Sequence, residues 1–233
     1  MKRFYKDATA SVAKSGKYAV LLDDKPIKTK SKQSLEVPTL ALAEKVASEW
    51  QAQGTEIKPD TMPFMTLSST TIDSVIPQVE AIALNLAAYG GSDLVCYRAE
   101  NPDSLIKLQH DAWQPLVAWV KDRYGIRLIV TSGVVHVAQD AASLAKFNDI
   151  VLAFDAYRLT VLHEFTTLSG SLVIALAIMD GHITAEEGLE RSLVDETFQA
   201  NFWGADAEAD ARHAIRQAEF MNAKTFLSLL SVT

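Results

Sequence analysis

Near the carboxyl end, in the stretch SLVDETFQANFWG (Ser192 to Gly204), two carboxylates stand side by side, Asp195 and Glu196. Two acids divide acid–base work when both reach one proton, but neighbours on a helix point ~100° apart. The pair is a poor catalytic dyad. Wound as one helix with the residues before it, the stretch puts Leu189, Leu193, Ala200 and Trp203 on one narrow apolar stripe, with Glu196 in its middle. Val194, Phe198 and Phe202 form a second apolar row on nearly the opposite side. A helix apolar on two sides either lies sandwiched in a core, the commoner case, or commits one side to a partner.

An ionised carboxylate sealed in apolar surroundings costs several kcal/mol unless it is paired. Glu196 therefore has three readings. It is a structural ion pair, with Arg158, Arg191, Arg212 or Arg216 as partner. It is a carboxylate at the rim of a binding surface, awaiting a basic or amide donor on another molecule. Or it is a general acid with a pKa raised by burial, the weakest reading because no nucleophile or second acid is legible beside it. Periodicity does not choose between the first two.

Other chemistry is missing from the sequence. Neither G-x-x-x-x-G-K-[ST] nor G-x-G-x-x-G is present, so no phosphate-cradling loop is recognisable, and G-x-S-x-G is absent too. His163 and Glu164 begin HEFTT like a zinc-protease helix, but Thr167 stands where the second imidazole must be. The remaining histidines, His110, His136, His182 and His213, are scattered, and a single cysteine, Cys96, supplies neither a thiolate cluster nor an internal disulfide. No metal, cofactor or small-molecule substrate is expected.

The elements that would position these residues change style along the chain. Up to about residue 37, RFYKDATA, YAVLL, PIKTK and SLEV read as short strands, with a turn at LDDKP. A helix follows Pro38, with Leu42, Val46 and Trp50 at helical spacing. After Met65 nearly everything reads as helix: a segment begun by Pro77 and ended by Gly90-Gly91, a pair divided near Pro115, the buried run SLVIALAIM, a helix opened by a Thr184–Glu187 capping box, and a last helix from Asp206. GIRLIVTSGVVHVAQ alone has later β character. The expected class is α+β, with a mainly antiparallel β domain over residues 1–70 and a helical domain over 71–233.

Composition narrows the function classes. At 233 residues, 48% of them hydrophobic and 22% charged, the chain can bury a real core. The net charge of -7 divides into about +3 over residues 1–60 and about -10 over the rest. An acidic bulk without an arginine stripe argues against nucleic acid. The lysines Lys25, Lys28, Lys30 and Lys32 read as guards of strand edges. No apolar run approaches the ~20 residues that span a bilayer, and no targeting segment opens the chain, which favours a bacterial cytoplasm; a processed mitochondrial matrix form is the alternative.

Six stretches in order, RFYKDATA, LDDKPIKTK, VPTLALAEKVASEWQAQ, MPFMTLSSTTIDSV, DLVCYRAENPDSLIKLQHDAWQPLVAW and SLVDETFQANFWG, resemble the assembly chaperones that hold the free alpha subunit of the ATP synthase catalytic head. The resemblance implies a small N-terminal β domain, a larger helical domain and a non-catalytic role: shielding alpha's apolar interface until beta replaces the chaperone. The family's important glutamate, in an E-x-x-Q-x-x-x-W-G stretch, falls on Glu196, with Gln199, Trp203 and Gly204 completing it. Glu196, Gln199, Trp203, Phe198 and Phe202 are accordingly the expected partner-binding residues. Asp24 departs from the family's turn glycine and Lys30 from a common proline, which bears only on turn geometry. A generic interaction scaffold and an enzyme with a dispersed acid–base site around Glu196 are the competing readings.

Overall fold

The computed structural model describes residues 1–203 and 207–231; the side chains of Phe202, Trp203 and Ala207 lie outside the description. Strands β1 (Ala8–Val12), β2 (Tyr18–Leu22), β3 (Lys25–Pro26) and β4 (Glu36–Val37) form one antiparallel sheet, ordered β1-β2-β3 with β4 also on β2. Helices α1 (Leu40–Gln51), α2 (Pro63–Thr70) and α3 (Val79–Ala87) follow. Beyond them come β5 (Tyr97–Arg98), α4 (Asp103–Tyr124), β6 (Thr131–Ser132), α5 (Ala141–Leu152), α6 (Ala156–Ser169), α7 (Leu172–Met179), α8 (Ala185–Ser192), α9 (Val194–Trp203) and α10 (Ala207–Leu230). The class is α+β.

By contacts the chain forms two compact units. The first comprises Met1–Val79, Asp155–Val161 and Asn222–Thr233; the second is Glu80–Phe154 with Leu162–Met221. The first unit recruits its distant pieces by specific bonds. Tyr157 Oη donates to Glu36 C=O at 3.0 Å, its ring stacks on Phe226, and Thr39 Oγ1 donates to Leu229 C=O at 2.7 Å. Thr39 also caps α1, accepting from Leu42 N–H. Glu49, buried on α1, caps α2 from outside: its two oxygens accept from Phe64 N–H and Met65 N–H at 2.8 and 2.7 Å, while burial pushes its carboxyl up. Between α2 and α3 the path runs through a π turn at Thr71–Val75 and a 3₁₀ turn containing Pro77. A proline has no N–H for the α pattern.

In the second unit α7 is the centre. Leu172 to Ile178 are all buried, so the apolar run is core. Asp93, fully buried, holds its start: the carboxylate accepts from Ser171 Oγ at 2.6 Å and Val173 N–H at 3.0 Å. Desolvation pushes Asp93 up to about 6 even against these bonds.

Three local expectations change. Pro115 does not divide a helix pair, for α4 is continuous across it. The carbonyl Pro115 leaves without a donor is that of the exposed Asp111 and can meet water, while the buried Trp113, Leu116 and Val120 hold both sides of the helix in one core. GIRLIVTSGVVHVAQ contributes only Thr131–Ser132, paired parallel to β5. The helix expected from Thr184 onward is two helices.

Candidate functional site

The break comes at Leu193. The capping box is present, Thr184 Oγ1 accepting from Glu187 N–H and Glu187 returning the bond to Thr184 N–H. The α8 it opens lies close on α7, because Gly188 has no side chain: a Cβ there would meet Ile178 Cδ1 at 2.5 Å. At Leu193 the backbone leaves helical geometry (φ -101, ψ 12), and α9 restarts at Val194. The stripe built from Leu189, Leu193, Ala200 and Trp203 therefore does not exist as one face. Leu189 is buried on α8, Leu193 half-buried at the corner and Ala200 exposed on α9.

New bonds aim α9. Asp195 Oδ1 accepts from Gln109 Nε2 of α4 at 2.6 Å. Gln109 is itself buried; its Oε1 accepts from Ala99 N–H at 2.7 Å and its C=O from Arg98 Nη1 at 2.6 Å. The Arg98 guanidinium lies over the Trp113 ring, 5.0 Å from its centroid, and burial pulls its pKa down. Trp113 Nε1 donates to Arg191 C=O at 2.7 Å, and Arg191 Nη1 to Ala112 C=O at 3.1 Å. The bonds to Asp195 and Arg191 tie α4 to the corner between α8 and α9, and those from Arg98 and Ala99 brace Gln109 from the end of β5.

With Asp195 turned to α4, Glu196 faces α10. His213 Nε2 lies 2.8 Å from Glu196 Oε2, and Arg216 Nη1 is 3.1 Å from both oxygens. A carboxylate only accepts, so His213 Nε2 is the donor. The glutamate side chain is 42% exposed, His213 35% and Arg216 32%. Glu196 is thus neither sealed in an oily face nor free: it is paired and open to water. Of the arginines named from sequence, Arg216 is the partner; Arg158 instead pairs with Asp155, and Arg212 with Glu208. His213 was missed. Its spacing of three from Arg216 on one helix was the available signal, since such residues share a face.

Of the other expected contact residues, Phe198 is half-buried and Gln199 exposed. The side chains of Phe202 and Trp203, and Gly204 itself, lie outside the described residues. Chemically, Glu196 can exchange donors with an incoming group, but its neighbour acid is engaged elsewhere. Among the described residues no group of three or more His, Cys, Asp and Glu could hold a metal ion, and no helix is long and apolar enough to cross a membrane.

The chain matches the family described as ATP12 chaperone protein over residues 2–121. It belongs to the ATP12 chaperone family. Solved structures similar to it extend the likeness past the matched segment, through α9 and α10. Atp12 from Paracoccus denitrificans is 40% identical, with 98% of each chain covered and a TM-score of 0.93. A point mutant of the P. denitrificans protein is 39% identical over 98% of this chain and 97% of its own, again at 0.93. A chaperone-like protein of Agrobacterium tumefaciens is 35% identical over 99% of this chain and 86% of its own, also at 0.93. ATP12 proteins are a chaperone family, not an enzyme family.

Proposed function

We propose that this ATP12 protein is an assembly chaperone for the F-type ATP synthase catalytic head, binding free alpha subunit and covering its apolar interface until beta takes its place. Exposed apolar area drives self-association because its burial is worth ~25 cal/mol per Å². A chaperone must cover that area yet let it go. A half-exposed, already neutralised carboxylate suits this need, since polar contacts at a rim set orientation and encounter rate more than affinity.

The accessible Glu196, held between His213 and Arg216, is the observation that carries the proposal. Gln199 is open beside it on α9, Phe198 partly so, and Ile215 on α10 is 60% exposed. Phe202 and Trp203 remain proposed partner-binding residues.

The test is Glu196→Gln, with melting and suppression of alpha aggregation measured together. Melting should move by less than about 2 °C, as for an exposed ion pair, while suppression is lost. A large drop in melting with suppression intact would make Glu196 structural and end its assignment to binding. Recovery of alpha alone, lost when beta is supplied, separates this reading from a generic scaffold.

A further inference from the structure

Strand β1 is paired with β2 on one side only, and the register between them shows which backbone groups are engaged. Ala8 stands opposite Leu22 and Val12 opposite Tyr18. Ala13 N–H bonds Lys17 C=O at 2.8 Å, and Asp23 N–H bonds Asp7 C=O at 3.0 Å. Bonded and non-bonded pairs alternate in an antiparallel ladder. Asp7, Thr9, Ser11 and Ala13 therefore face β2, whereas Ala8, Ala10 and Val12 turn their N–H and C=O groups outward. Gln51 Oε1 takes the Ala8 N–H at 2.8 Å. Both backbone groups of Ala10 and Val12 stay open among the described residues, and Val12 is 70% exposed.

Beside this edge runs an open slot of about 600 Å³, lined by Ala8, Thr9 and Ala10 of the strand, by Ala47, Ser48 and Gln51 of α1 with Glu44 one turn earlier, and by Ala52. Small side chains leave room for a backbone to lie along the edge. Strands that must stay unpaired are blunted by an inward charge, a proline or a bulge; β1, with the sequence ATASV, has none of these.

We propose that the β1 edge receives an extended segment of the client as an added strand, small residues toward α1 and a carboxylate at the end that meets Lys14 and Lys17; this rests on the client reading above. Added strands bind through main-chain bonds, with side-chain pockets giving selectivity. The acidic end follows from charge: Lys14 and Lys17 stand just after the strand, whereas at its start Lys6 is offset by Asp7 and by the Asp23 carboxylate. A second copy of this chain fits worse: pairing β1 with itself about Ala10 sets Lys6 opposite Lys14 at both ends and asks for the Ala8 N–H that Gln51 holds.

Residue-resolved amide exchange on the complex with free alpha subunit tests this. The Ala10 and Val12 amides should exchange rapidly in the free chaperone and at least about ten-fold more slowly in the complex, whereas Thr9 and Ser11 stay slow in both. Two variants accompany it: Ala10→Pro removes an outward N–H while sparing the ladder to β2, and Ser48→Phe fills the slot from the exposed side of α1. Each should weaken alpha binding by about ten-fold, the equivalent of one hydrogen bond or a blocked strand. If Ala10→Pro fails to fold, Ser48→Phe and the exchange measurement decide the matter. A complex that forms with Ala10 and Val12 unprotected, and with Ser48→Phe binding normally, overturns the edge assignment alone. Failure to recover any complex with alpha overturns the client reading and this inference together.

Discussion

Asp195 and Glu196 are neighbours in sequence that serve different helices: Asp195 accepts from Gln109 of α4 at 2.6 Å, and Glu196 pairs with His213 and Arg216 of α10. Their directions differ by about one helical step of ~100°, enough for one to anchor α9 and the other to meet solvent.

The two should respond differently to truncation. Asp195→Ala leaves the buried Gln109 amide without its acceptor and is expected to cost about 1–3 kcal/mol. Glu196→Ala removes a partly exposed ion pair and should cost less than about 1 kcal/mol. Urea midpoints of the two variants check the order, and the reverse order would mean that Glu196, not Asp195, anchors the helix.

Asp93 makes stability depend on pH in an unusual direction. Its ordinary value is 3.8 and burial raises it to about 6 in the folded chain. Below about pH 4 both states hold the proton and the contribution is constant. Between about pH 4 and 6 only the folded state retains it, so rising pH favours unfolding, by about 3 kcal/mol in total. Asp93→Asn should lack this decline whatever its absolute stability. Denaturation midpoints at pH 4 to 7, wild type against variant, show whether the decline belongs to Asp93.

Gly188 sets the approach of α8 to α7. Its alanine variant gains helix propensity of up to about 1 kcal/mol. The new Cβ, however, meets Ile178 Cδ1 at 2.5 Å and Ile174 Cγ2 at 3.2 Å in a closed core. Overpacking of this kind costs about 1–3 kcal/mol, so Gly188→Ala should lower the melting temperature. A rise would mean that the two isoleucines move aside freely.

Asp23 and Asp24 link β2 to β3 with positive φ at both, 45° and 64°, the geometry of a two-residue hairpin loop in which glycine is favoured second. Asp23 is held there, its carboxylate accepting from Lys6 N–H and Asp7 N–H. Asp24 is in the left-handed region, and among the described residues no side-chain hydrogen bond of its own compensates it. Asp24→Gly should raise stability by about 0.5 kcal/mol, relief of strain slightly exceeding the entropy of glycine; a melting curve that falls instead would show Asp24 to be held by its surroundings.

The sequence by itself determined the class, the β-rich start, the buried α7 and the capped entry to α8, because each rests on local periodicity or on a cap within four residues. The ordered motifs likewise pointed to the family. Tertiary structure alone decided the rest. Pro115 stays inside α4 because the carbonyl it leaves without a donor belongs to the exposed Asp111 and can be hydrated, while its apolar neighbours are buried. The chain turns at Leu193, although apolar spacing carried a helix through it, because Gln109, Trp113 and Arg191 tie that corner to α4. Whether Glu196 lay in oil or in water depended on that turn and on where α10 returns. Those are long-range contacts, and a spacing rule that knows only neighbours along one helix has no way to express them.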